Sequence, residues 1–269
     1  MDIETSVILN NEVKMPQLGL GTWQAEGNNV YEAFKFTLQH GYRHIDTAKI
    51  YGNEKEVGRA IADSGVAREE IFVTTKLWNS DHDNPREAFN ASLEKLGLDY
   101  VDLYLIHWPV PQRKKSWKVL ESIYEEGKAK SIGVSNFTIK HLKELLEDVK
   151  VVPAVNQVEY SCFFFFFFLL DFCKENKIQL EGYSALSRAT RFEEEKLRSI
   201  ADNHSKTPAQ VMIRWQLQKG IVTIPKSVKT ERIKQNADVF DFELSDEEIQ
   251  TLDALDEGYR TVPDPNDMP

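Results

Sequence analysis

Four residues of this chain could together deliver a proton to an oxygen: Asp46, Tyr51, Lys76 and His107. A tyrosine hydroxyl has a reference pKa of about 10, too high for efficient donation at neutral pH. A nearby ammonium favours the phenolate and lowers that value. A carboxylate holding the lysine would fix the geometry. A histidine across the pocket could hydrogen-bond a carbonyl oxygen and orient it. This is equipment for protonating an oxygen as it becomes an alkoxide, as in carbonyl reduction. No side chain donates a hydride, so the chemistry requires a nicotinamide cofactor. Each residue also has a plain structural reading: Asp46 as a helix N-cap, Lys76 as a solvated strand end, His107 as a core histidine, Tyr51 as a loop aromatic. Their joint placement favours the chemical one.

That placement comes from eight hydrophobic runs, each followed by a polar residue. Strands are expected near 17–21, 42–46, 71–75, 103–106, 131–134, 154–158, 179–183 and 222–224. Asp46, Lys76 and His107 close three of them; Ser135-Asn136, Gln157, Tyr183 and Lys226 close later ones. Parallel strands closed into a barrel bring their C-terminal ends to one rim. Between the runs, apolar residues recur at three- and four-residue spacing, as in Val30–Leu38, Pro85–Leu96, His141–Leu146 and Thr207–Leu217. The expected fold is a single (β/α)8 barrel, preceded by a hairpin turning at Asn10-Asn11 that caps its bottom. One domain is expected over 1–269, with the hairpin in 1–16 and an extended tail in 258–269 lying over the mouth or against the side. The rival is a doubly wound sheet. Its glycine fingerprint is nearly mimicked by Gly19-Leu-Gly21-Thr-Trp-Gln24, but the third glycine is missing.

Composition narrows the partners. A formal charge of −10 repels a nucleic-acid backbone. No run approaches the roughly 20 apolar residues that span a bilayer. Met1-Asp-Ile-Glu-Thr5 is acidic and does not read as a secretory signal. Cys162 and Cys173 give neither a disulfide framework nor metal spacing, which suits a reducing cytosol. No metal site is expected, because His40, His44, His82, His141 and His204 lack ligand spacing. Short loops favour a monomer acting on a small molecule.

Lys226 and Arg232, with Ser227 and Thr230 between them, suit a phosphate ester far better than a bare ribose diol. A carboxylate would be expected for NAD, and Glu231 keeps some NADH use open. Trp23, Trp78 and Trp108 follow the first, third and fourth strands and would wall a substrate pocket for apolar or aromatic carbonyls.

The segments Gly41-Tyr-Arg-His-Ile-Asp-Thr-Ala-Lys-Ile-Tyr-Gly-Asn-Glu54, Ile71–Trp78, Asp99–Pro109 and Gly133–Phe137 resemble, in order, the signature blocks of the aldo-keto reductase superfamily. Ile224-Pro-Lys-Ser227 with Arg232–Asn236 resembles its cofactor block. The resemblance runs from about Val13 to about Gly258 and is similar to the short-loop microbial branch, the 2,5-diketo-gluconate reductase and prostaglandin F synthase-like members. It implies Tyr51 as general acid, Lys76 and Asp46 as its tuning pair, and His107 as the group orienting the carbonyl. It implies Ser135, Asn136 and Gln157 on the nicotinamide carboxamide and Tyr183 stacked on the ring. Ser184, Leu186 and Val228 are further implied cofactor contacts. Lys226, Ser227 and Arg232 would hold the 2′-phosphate of NADPH, with Gln235 and Asn236 near the adenine.

Two stretches depart from that pattern. Phe163–Phe168 is a run of phenylalanines that cannot form one buried helical stripe, so several must be exposed. Its readings are an engineered or misassigned stretch, a hydrophobic partner surface, or a membrane-dipping segment. Ala185 and Ala189 stand where similar proteins carry proline and often glycine, beside the implied pyrophosphate site. The expectation is a cytosolic, NADPH-dependent reductase of aldehydes and ketones. The alternatives are a cofactor-sensing binding module of the same fold, as in potassium-channel β subunits, and a metal-dependent barrel hydrolase. Sugar acids, α-keto esters, methylglyoxal-like aldehydes and prostanoid-type ketones all remain admissible substrates.

Overall fold

The computed structural model describes residues 1–25, 30–165 and 167–267. A hairpin opens the chain: β1 (Ser6–Ile8) pairs antiparallel with β2 (Lys14–Pro16). Eight parallel strands follow in sequence order around one sheet. They are β3 (Leu20–Gly21), β4 (His44–Asp46), β5 (Phe72–Leu77), β6 (Val101–Ile106), β7 (Ala129–Ser135), β8 (Val155–Glu159), β9 (Gln179–Tyr183) and β10 (Val222–Thr223). Parallel bridges Leu18–Thr223 and Gly21–Lys226 join the first strand to the last and close the barrel. Glycine is required at that seam. A Cβ on Gly21 would lie 2.7 Å from the Ile224 carbonyl oxygen, and one on Gly19 would lie 2.6 Å from the His44 ring. The near-fingerprint Gly19-Leu-Gly21 therefore serves strand closure, and the doubly wound alternative falls with it.

Helices cross between the strands: α1 (Val30–Gln39), α2 (Glu54–Asp63), α3 (Pro85–Leu96), α4 (Arg113–Glu125), α5 (Ile139–Leu146), α6 (Phe167–Glu175), α7 (Glu195–Asn203) and α8 (Pro208–Gln218). Two more, α9 (Thr230–Ala237) and α10 (Asp246–Asp253), follow β10. Sequence chemistry sets their ends. Pro85 and Pro208 occupy first turns, where a missing N–H costs nothing, and Gly97 takes a left-handed φ of 64° after α3. Thr207 with Gln210 and Ser245 with Glu248 form reciprocal capping boxes.

The bottom of the barrel is sealed. Leu9 and Met15 of the hairpin pack with Phe72, Leu103, Leu105, Val155 and Val222 in a compact apolar cluster. Asn10 and Asn11 tie the turn down by donating to the carbonyls of Pro153 (3.1 Å) and Lys130 (2.9 Å). Polar strand ends are thus left to gather at the opposite rim. The tail crosses that rim. The Thr261 N–H donates to a Glu159 carboxylate oxygen at 2.7 Å, and its hydroxyl pairs with that of Ser184 at 2.8 Å. It is less extended than its sequence suggests, ending in a 3-10 turn at Pro265–Asp267.

The phenylalanine run divides. Phe163 and Phe164 are buried behind a turn bridged between Ser161 and Phe164. Phe165 packs edge-on to Trp215. Phe167 and Phe168 open α6 and stand 58% and 78% exposed, which meets the expectation that some must face outward. Phe166 lies outside the described residues. No helix among the described residues is long and apolar enough to cross a membrane.

Candidate active site

Asp46 ends β4, Tyr51 sits on the 3-10 turn Lys49–Tyr51 just beyond it, Lys76 lies near the end of β5, and His107 follows β6. Lys76 is fully buried. Its Nζ donates to both Asp46 carboxylate oxygens, at 2.6 and 2.8 Å, and to the Thr47 carbonyl at 2.8 Å. It reaches the Tyr51 hydroxyl at 3.5 Å, a long contact of the kind that tightens when a site is loaded. Asn53 holds the turn that presents Tyr51. Its Oδ1 accepts from the Thr47 hydroxyl at 2.8 Å, and its Nδ2 donates to the Thr22 carbonyl at 2.9 Å. The His107 ring stands edge-on to Tyr51 (centroids 5.7 Å apart) and to Trp78 (5.1 Å).

The electrostatics correct one expectation. Burial pushes the Tyr51 phenol well above its ordinary value, and Asp46 and Glu181 push it further the same way. The ammonium beside it does not outweigh the loss of water, so the resting phenol keeps its proton. Burial, then Lys76, holds the His107 imidazole well below its usual range. It is therefore neutral, with one ring N–H to offer.

Beside this cluster the implied carboxamide ligands interlock. The Ser135 hydroxyl donates to the Gln157 carbonyl at 2.9 Å. Asn136, in a left-handed conformation (φ 64°) that asparagine tolerates, donates to the His107 carbonyl at 2.9 Å. The Tyr183 hydroxyl donates to Asn136 Oδ1 at 2.7 Å. Gln157 Nε2 donates to Asp46 at 2.7 Å and to Glu181 at 2.8 Å.

Asp46, Tyr51, His107, Ser135, Asn136, Gln157 and Tyr183 open on one cleft of about 1160 Å³. Drug-sized ligands take roughly 300–1,000 Å³, so the cleft has room for a dinucleotide and a small substrate together. Trp23, Trp78 and Trp108 line it, as do Ser184, Leu186, Lys226, Ser227, Arg232, Gln235 and Asn236. Two predicted residues do not. Lys76 is covered by Asp46 and Tyr51. Val228, expected as a cofactor contact, packs against the hydrophobic core instead. Ser227 has a structural duty as well, its hydroxyl accepting the Lys229 N–H at 3.1 Å ahead of α9.

Sequence reasoning missed three parts of the site. Arg188 reaches over the Trp23 ring at 4.9 Å and donates to the Thr261 carbonyl at 2.7 Å. Thr261, Val262 and Pro263 form one lip of the cleft. Glu181 lies inside the barrel with no exposed surface. Its signal was available: an acidic residue at an inward position of a buried parallel strand, two residues before Tyr183.

The profile of the Aldo/keto reductase family matches residues 17–257. The chain belongs to the aldo/keto reductase family. This aldo/keto reductase is 49% identical to a glyoxal reductase of Bacillus subtilis, a match covering 99% of this chain and 98% of that protein. It is 46% identical to the methylglyoxal reductase DkgA of Escherichia coli, over 97% of each chain. The crystal structure of MGS-M4, an aldo-keto reductase from a Medee basin deep-sea metagenome library, is 50% identical. It superposes with a TM-score of 0.93, covering 96% of this chain and 98% of that one. Family and fold together make this chain an oxidoreductase built on an α/β barrel.

Proposed function

We propose that this aldo/keto reductase reduces small aldehydes and ketones, 2-oxoaldehydes such as methylglyoxal foremost, with NADPH, and that Tyr51 is the general acid. The observation that carries the reading is Lys76, bound to Asp46 and in reach of the Tyr51 hydroxyl at the floor of the cleft. The glyoxal and methylglyoxal reductases similar to it support the substrate class.

The residues present fit a nicotinamide dinucleotide. Ser135, Asn136 and Gln157 line the cleft with amide and hydroxyl groups for a carboxamide, and the Tyr183 ring lies beside Asn136. Lys226 and Arg232 stand among its lining with Gln235 and Asn236, and two cations there favour the 2′-phosphate over a free ribose. When bound, the cofactor supplies the hydride. The protein does the rest. The neutral His107 offers an N–H to the carbonyl oxygen and holds it toward Tyr51. Tyr51 gives its proton as charge builds on that oxygen, and Lys76 neutralises the phenolate left behind. Asp46 keeps the lysine aimed. The tryptophans and the tail exclude water. We take 1–269 as one unit acting as a monomer. Cys162 and Cys173 are free buried thiols, which supports a cytosolic setting.

The test is NADPH oxidation with methylglyoxal, comparing the wild type with Tyr51→Phe. Loss of general-acid catalysis should lower kcat by about 10²–10⁴-fold with NADPH binding kept. An unchanged rate in Tyr51→Phe would overturn the assignment. Tight NADPH binding without turnover in either protein would favour the binding module.

A further inference from the structure

Glu181 has no part in the proton transfer above, yet it lies in the same network. Its Oε2 accepts from Gln157 Nε2 at 2.8 Å, and that nitrogen also donates to Asp46 at 2.7 Å. One amide thus bridges two buried carboxyl groups. The other oxygen, Oε1, has no hydrogen-bond partner and lies 3.6 Å from Nε2 of His44, whose side chain is also fully buried. The charged and titratable groups facing Glu181 are Asp46 and His44 on β4, Lys76 on β5 and Tyr51 beyond β4. Gln157 on β8 brings none.

Charge balance decides what Glu181 can be. Lys76 provides the one cation of this cluster, and it is bound to Asp46 through two oxygens. A second bare carboxylate in the same dry interior would have no cation of its own. Protonated, Glu181 stays neutral, and its unpartnered oxygen can direct its hydrogen at the His44 ring. We propose that Glu181 is a positioning residue for the reduction: protonated, it leaves the Lys76 charge free for the Tyr51 phenolate, and ionised, it opposes that phenolate and weakens Tyr51 as an acid. The energetics agree. Burial, then the Asp46 charge, pushes Glu181 up to about 8. Burial pushes His44 down to about 3, leaving its ring neutral and able to accept. Once ionised, Glu181 is itself among the groups that push the Tyr51 phenol up.

This inference rests on Tyr51 being the general acid, so its test carries one readout that does not. First, kcat/KM for methylglyoxal is measured from about pH 6 to about pH 9.5 in the wild type and Glu181→Gln. The glutamine keeps an oxygen for Gln157 and mimics the neutral acid. The wild type should lose activity through a midpoint of about 8, while the variant stays flat there. Second, infrared difference spectra are taken of the protein alone. A protonated-carboxyl band should disappear in the wild type as pH rises through that midpoint, and Glu181→Gln should lack it. Coincident pH profiles, or a wild type without the band, overturn the proposal. If Glu181→Gln does not fold, Glu181→Asp takes its place: its midpoint should move, and an unmoved midpoint overturns the proposal. Undiminished activity in Tyr51→Phe would refute the Tyr51 assignment instead, and the infrared band would still report on Glu181.

Discussion

Replacing Ala189 by glycine should stabilise this enzyme, although glycine usually weakens a fold. The loop after β9 holds Ser184, Ser187, Arg188 and Ala189 at φ of 51°, 45°, 53° and 60°. An L-residue in the left-handed region costs about 1–2 kcal/mol relative to the right-handed one, because Cβ crowds the following carbonyl. Glycine avoids that clash but loses more backbone entropy on folding, about 0.5–1 kcal/mol. The Ala189 side chain is exposed, so its removal forfeits little burial. The Ala189 N–H bond to the Leu186 carbonyl, 2.7 Å, needs no side chain and survives. The difference leaves a gain of about 0.5–1 kcal/mol. For a chain of this size that is a rise in Tm of about 1–2 °C, or an equivalent rise in the urea midpoint at constant m. Ala189→Pro is the control, since its fixed φ of about −65° opposes the observed one and should destabilise. A lower midpoint for Ala189→Gly, with m unchanged, would refute the strain argument.

Other substitutions test other parts. Glu181 holds its proton to about 8 in the fold but only to its ordinary value of 4.5 when unfolded. Between those values the native state binds the extra proton, so the contribution of Glu181 to stability falls as pH rises, by on the order of 1 kcal/mol per unit. Glu181→Gln removes that slope, and its advantage over the wild type should grow across this window. A pH-independent difference between their urea midpoints would count against the shift. Arg232→Ala should raise the KM for NADPH by about tenfold while changing that for NADH little, the loss of one charge-assisted phosphate contact. Equal effects on both cofactors would place Arg232 away from the phosphate. Phe168→Glu removes the most exposed aromatic of α6 and should raise the solubility limit of the protein with kcat/KM unchanged. An unchanged solubility limit would count against this patch as a driver of aggregation.

The sequence alone determined the barrel, because eight short apolar runs at regular spacing, with helical periodicity between them, admit few other closures. It determined the rim as well. A residue that ends a parallel strand points to the same mouth wherever it lies in the chain, so Asp46, Lys76, His107, Gln157 and Tyr183 could be grouped before any distance was known. Only tertiary structure decided what depends on the neighbours of each group. The acidity of Tyr51 turned on how much water its hydroxyl loses, which reversed the simple expectation from its lysine. Val228 turned inward while Ser227 beside it lined the cleft, a choice of facing that one residue of offset inverts. Glu181 became notable only when folding placed it one amide away from Asp46, more than a hundred residues earlier in the chain. Spacing in sequence reports which ends meet; charge, burial and shared hydrogen bonds exist only between groups already brought together.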